Sequence, residues 1–161
     1  MTWHTYKLDE IAQELVLDAL ERSQDSPKSQ DSLNQSYKMR TTVAFGLERF
    51  WGEHVRLLAK GKSDKKSDKE SENYKKGLYW HDTWKVFRKT MGEAQIHLPK
   101  PLKKGGKPEE LKQIAGQFWG SVPIKVGETE VILTLEDRRV AQAVLTQLCD
   151  CLVWWTQRYK S

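Results

Sequence analysis

Apolar residues recur at helical spacing through most of the chain. In "YKLDEIAQELVLDALERS", Leu8, Ile11, Ala12, Leu15, Ala19 and Leu20 share one face and acids fill the other, which predicts an amphipathic helix. The polar run "SQDSPKSQDSLNQS" has too little apolar area to offset the entropy of ordering it, so residues 23–34 are expected to be a mobile loop. From Tyr37 to Lys60 the periodicity predicts one long helix. Ala44, Leu47, Trp51, Val55 and Leu58 lie on one face, and Arg49, Arg56 and Lys60 form a basic stripe on another. The next run, "GKSDKKSDKESENYKKG", carries charges of both signs between Gly61 and Gly77, and residues 62–76 read as a second mobile segment.

Another helix is predicted over "LYWHDTWKVFRKTM", with Trp80, Trp84, Phe87 and Met91 as its seam. His81, Lys85 and Arg88 occupy the adjoining face, a second cationic stripe beside an aromatic seam. The loop "HLPKPLKKGGKP" then adds Lys100, Lys103, Lys104 and Lys107 without an acid, the densest positive charge in the chain. Pro108 suits the first turn of a helix running to about Trp119, with Glu109 and Glu110 favourable near its positive end. "SVPIKVGETEVILTLE" breaks the helical rhythm and reads as a short hairpin around Gly127. Thr134 and Asp137 have the spacing of a capping box, which starts the closing helix. The fold class that follows is mainly α: one domain over residues 1–161, a bundle of four to five helices with one short β-hairpin before the C-terminal helix.

That closing helix contains adjacent tryptophans, and neighbours on a helix point about 100° apart. Val144 or Leu145, Leu148, Leu152, Trp155 and Tyr159 follow a buried seam, which places Trp155 in the core. Trp154 falls instead with Gln147, Asp150 and Arg158 on a polar face, where stacking, subunit contact or partial burial are all open to it.

Composition sharpens this picture in two ways. Only 38% of the 161 residues are apolar, yet 7 Trp, 5 Tyr and 4 Phe supply large buried areas, so the core or an interface is expected to be aromatic. Lys and Arg exceed Asp and Glu by 27 to 22, a mild excess that permits an anionic partner without demanding one. Cys149 and Cys151, two apart on a helix, cannot bridge each other, and free thiols in a reducing cytosol are the simplest reading. Neither a charged leader nor a long apolar span is present, so a cytoplasmic protein without membrane contact is expected.

Familiar catalytic motifs are absent. "KKGGKPEE" lacks the spacing of a phosphate-cradling loop, and no GxSxG or HExxH occurs. His81 and Asp82 are adjacent, and adjacent helical residues do not face each other, so no general-base pair is implied. The four histidines show no ligand spacing; no metal, cofactor or catalysis is expected. What stands out is the repeated pairing of basic stripes with aromatics. Cations along an extended path track a nucleic-acid backbone, and exposed aromatic rings stack on unpaired bases. The candidate contacts are Arg49, Arg56, Lys60, Lys85, Arg88, Lys103, Lys104, Lys107, Trp154 and Arg158.

The closing helix "DRRVAQAVLTQLCDCLVWWTQRYK" is similar in style to the final helix of small subunits of type III CRISPR complexes, in which apolar residues and an aromatic precede a basic end. With its basic, mostly helical layout, the chain resembles the small-subunit family of CRISPR effector complexes. The hairpin around Gly127 and the lysine-rich loop depart from that family's plain bundle. The resemblance implies a non-catalytic subunit of a ribonucleoprotein complex that stacks in copies, filament-like, beside larger subunits and touches RNA or single-stranded DNA through Arg and Lys. The alternative is an adaptor that docks on a larger protein through its aromatic faces and uses its charge for solubility.

Overall fold

The computed structural model describes residues 5–24, 32–63, 71–103 and 106–160. Among these residues six helices and one hairpin follow in order: α1 Thr5–Arg22, α2 Gln35–Thr42, α3 Leu47–Ser63, α4 Glu72–Glu93, α5 Pro108–Trp119, β1 Ile124–Val126, β2 Thr129–Val131 and α6 Leu135–Tyr159. The fold is mainly helical with the hairpin just before the last helix, as the periodicity implies. Its two short strands pair antiparallel, Ile124 opposite Val131 and Lys125 opposite Glu130.

Several local expectations hold at the level of single atoms. The α6 start is capped by the Thr134 hydroxyl, which accepts the Asp137 N–H at 3.1 Å. Pro108 opens α5, where its missing N–H costs nothing. The α4 seam of Trp80, Trp84, Phe87 and Met91 is fully buried. In α6, Leu145, Leu148 and Leu152 are buried, while Trp155 and Tyr159 are half-buried against the same core. The thiols of Cys149 and Cys151 are unbridged.

The helix expected from Tyr37 to Lys60 is broken. Gly46 takes φ 118 and ψ 161, a conformation closed to most L-residues, so α2 ends through a tight turn at Val43–Phe45 and α3 starts afresh. Ala44, expected on the apolar face, is exposed in that turn. The two polar runs also fold further inward than composition suggests. Leu33 and Ser32 are buried at the start of the α2 region, and α4 begins at Glu72, capped by Ser71, whose hydroxyl accepts the Tyr74 N–H. The rest of the two expected mobile segments, residues 25–31 and 64–70, lies outside the described residues.

Helices α3 and α4 pack antiparallel at short range, and glycine makes this approach available. A Cβ on Gly61 would lie 2.3 Å from the Tyr74 nitrogen, and one on Gly77 would lie 2.9 Å from the Leu58 nitrogen. The glycines that bound the charged run in the sequence are therefore contact points between helices. Below them the interface is aromatic: Phe50 meets Trp80 with ring centroids 4.8 Å apart, and Phe118 of α5 meets Trp84 at 5.7 Å and Trp51 at 6.0 Å. Edge and tilted contacts of this kind add to the area term of burial. On the far side α1 packs along α6, and a buried polar chain ties three helices together. The Ser36 hydroxyl bonds Tyr79 at 2.5 Å and Thr156 at 2.6 Å, and Trp80 donates to Gln35 at 2.9 Å. No described helix is long and apolar enough to cross a membrane.

Candidate nucleic-acid interface

The lysine-rich segment after α4 is a strap pinned across the α3–α4 pair. Buried indole and imidazole nitrogens must find partners, and the strap backbone supplies them. Arg88 Nε donates to the Leu98 carbonyl at 2.9 Å, Trp84 Nε1 to Pro99 at 2.8 Å and Trp51 Nε1 to Lys100 at 2.9 Å. Three consecutive carbonyls are thus held by three side chains. The fourth tether runs the other way: the Leu102 N–H donates to His54 Nε2 at 2.9 Å. Proline at 99 and 101 suits this arrangement, because neither residue has an N–H to satisfy and the ring holds the chain extended.

His54 can accept Leu102 only as the neutral ring. Its Nδ1–H then donates to the Trp51 carbonyl, so one tautomer satisfies both nitrogens. Burial pushes its pKa down to about 4, and the neighbouring His81 ring, 5.7 Å away, acts in the same direction. His81 itself corrects an expectation. The helical spacing puts it on a cationic outer stripe with Lys85 and Arg88, yet it is buried between α3 and α4. Its Nδ1 lies 3.1 Å from Asp82 Oδ1, a contact that helical spacing alone argues against, and Asp82 also pairs with Arg22 at 2.5 Å. This chain of side chains fastens α1 to α4.

With its backbone fixed, the strap presents Lys100 and Lys103 to a groove of about 1090 Å³ that α5 and the hairpin close on the other side. Among the described residues five cations line it: Arg88, Lys100, Lys103, Lys107 and Lys125. Three carboxylates, Glu109, Glu110 and Glu130, dilute them. A smaller cleft of about 330 Å³ adjoins the groove and shares Arg88, Ile124 and Lys125 with it.

The structure thus brings together Arg88, Lys103 and Lys107 of the sequence-derived candidates. Lys104 lies outside the described residues. Arg49, Arg56, Lys60 and Lys85 are exposed but line neither groove nor cleft, and the Arg56 guanidinium is held by Glu53 at 2.8 Å. Trp154 and Arg158 are elsewhere. Trp154 is 46% exposed and lines a separate cleft with Asp9, Asp150, Cys151 and Trp155, sharing no residue with the basic groove. The Arg158 guanidinium stacks over the Trp154 ring at 4.0 Å, and the two indoles meet edge-on at 4.7 Å. Burial and the Asp9 carboxylate push the Cys151 thiol up to about 12.

Sequence reasoning passes over Lys100 and Lys125 of the groove, and Lys89 and His97 of the adjoining cleft. Lys89 follows Lys85 by four on α4, a spacing available in the sequence. Lys125 is the outward residue between inward Ile124 and Val126, which strand alternation would flag. Among the described residues no three His, Cys, Asp or Glu side chains form a group suited to a metal ion. No protein-family model, curated protein or solved structure matches the chain.

Proposed function

We propose that the protein is a non-catalytic nucleic-acid-binding subunit of a ribonucleoprotein assembly, and that it holds the phosphate backbone in the groove between the strap and α5. The observation that carries this reading is the pinning of the strap. Four hydrogen bonds involving Arg88, Trp84, Trp51 and His54 fix a short basic segment whose lysines line one groove. Lysines carried on a fixed backbone bind phosphate with less entropy to lose than lysines on a floppy loop. The overall layout, which resembles CRISPR small subunits, supports the same class of partner: single-stranded RNA or DNA alongside larger protein subunits.

The test is a salt titration of oligonucleotide affinity on two sets of variants. Replacing Lys100, Lys103, Lys107 and Lys125 with Gln should weaken binding and flatten the log–log salt slope by about 0.7 to 0.9 for each phosphate no longer neutralised. Replacing Arg49, Arg56 and Lys60 should change both far less. A folded groove variant with the parent's affinity and slope would defeat the reading.

One observation favours an adaptor as the second reading. Phe45 is 69% exposed, Trp119 62%, Leu135 54% and Ile132 50%, and large apolar side chains left open in this number suit protein contact. On that reading Trp119→Ser removes a co-purifying protein and leaves the salt slope of nucleic-acid binding untouched.

A further inference from the structure

The groove and its neighbouring cleft differ in charge density. In the groove five cations face three carboxylates across about 1090 Å³. In the cleft Arg88, Lys89 and Lys125 stand around about 330 Å³ with His97 beside them, and among the described residues no carboxylate lines it. Three like charges gathered around so small a space repel one another, and a counter-ion relieves that cost. Apart from His97 the described lining offers no ring on which a base could stack; the rest of it is Gly92, Leu98, Ile124, Val126 and Gly127. The cleft therefore suits the phosphoryl end of a nucleotide better than its base.

The amount of charge distinguishes an internal from a terminal phosphate. A backbone diester carries one negative charge, whereas a phosphomonoester carries about −1.5 to −2 at neutral pH and offers three acceptor oxygens. The groove, where three carboxylates offset five cations, matches the diester; the cleft, which shares Arg88 and Lys125 with it and adds Lys89 away from those carboxylates, matches the monoester. Arg88 joins the two. Its Nε is committed to the Leu98 carbonyl at 2.9 Å, which fixes the plane of the guanidinium, and it makes no ion pair among the described residues. The C-terminal end of α4 lies close by and would disfavour an anion. Its Met91 and Gly92 carbonyls are, however, already taken by the N–H groups of Ala94, Gln95 and Ile96, which turns that partial charge inward.

We infer that this cleft, between the end of α4 and the hairpin, receives the terminal phosphomonoester of a nucleic-acid strand lying in the groove. The inference rests on the nucleic-acid reading and makes the protein an end-binder as well as a backbone-binder. It is tested with one short single-stranded oligonucleotide prepared in three forms: 5′-phosphorylated, 3′-phosphorylated and with hydroxyls at both ends. Binding is followed by fluorescence polarisation with the label placed internally. One phosphorylated form should bind about tenfold tighter than the hydroxyl form, the scale of one or two charge-assisted hydrogen bonds, and which form it is sets strand polarity. Lys89 and His97 line the cleft and not the groove. The double variant Lys89→Gln/His97→Gln should therefore lose the preference while keeping the parent's affinity for the hydroxyl form. If all three forms bind alike, the end site is refuted and the groove stands. If none binds, both fall. A double variant that keeps the preference would also overturn the assignment of the cleft.

Discussion

The strap side of the molecule and the α1–α6 side use tryptophan in opposite ways. Trp51 and Trp84 are buried, and each commits its indole N–H to a strap carbonyl, so the rings serve at once as core filling and as loop anchors. Trp154 and Trp155 meet in a T-shaped contact on α6, where Trp155 is half-buried with its Nε1 covered and without a hydrogen-bond partner among the described residues, and Trp154 is open to solvent with one face under Arg158. The charges differ as well: the first site sets five described cations against three carboxylates, whereas the second sits beside Asp9 and Asp150, the latter paired with Arg40. Aromatic and cationic residues that look like parts of one surface in the sequence are therefore separated in space. A rigid basic groove does not need exposed aromatics, because its aromatics are used from beneath.

The largest expected effect tests this asymmetry directly. Trp84→Ala removes a fully buried ring, its packing against Phe87 and Phe118, and the bond to Pro99. It should cost about 3 to 5 kcal/mol in denaturant unfolding. Trp154→Ala should cost less than about 1 kcal/mol, since that ring is partly open to solvent. Comparable losses from the two variants would show that Trp154, like Trp84, is part of the core.

Acid offers a second way to separate the regions, because the strap is tethered by a histidine and the α6 cleft is not. The pKa of His54 is about 4 in the fold against 6.5 in the unfolded chain, so the unfolded state binds the extra proton first. Stability from this group is complete above pH 6.5 and is lost as pH falls through 4. The drop should total about 3 kcal/mol, at no more than about 1.4 kcal/mol per pH unit. The groups facing His54 are His81 from α4, with Asp82 behind it, and the strap backbone. Chemical denaturation between pH 7.5 and 4 should show this loss, and His54→Gln should flatten it. A parent protein whose stability is level across that range would mean that His54 does not hold the strap.

How far these features can be read beforehand depends on how local their cause is. The capping of α6 by Thr134, the seam of α4 and the hairpin at Gly127 each arise from residues a few positions apart, and each is legible. The break at Gly46 is not, since Ala44 and Leu47 continue the apolar period across it and only the backbone angles reveal the turn. Gly61 and Gly77 look like loop borders because close helix contact leaves no trace in composition. His81 looks like surface because a polar residue at helical spacing carries no mark of the partner that will cover it. For the candidate site, the lysines of the strap are visible, but what holds them is not. Trp51 and His54 lie far from Lys100 and Leu102 along the chain, and no pattern in either segment predicts their pairing.

The smallest effect concerns Arg158. Its guanidinium lies 4.0 Å from the Trp154 ring, both side chains are exposed, and no carboxylate pairs with it among the described residues. An exposed cation–π contact contributes about 0.5 to 1 kcal/mol, so Arg158→Gln should lower the unfolding free energy by no more than that. In the groove the same change of one Lys should leave stability nearly unaltered and show in oligonucleotide affinity instead, whereas Arg88 also tethers the strap. Measuring both quantities on Arg158→Gln separates the regions cleanly: a small loss of stability with unchanged affinity and salt slope fits two independent sites. A reduced salt slope would mean that a bound strand reaches α6, and that the basic groove is only part of a longer path across the molecule.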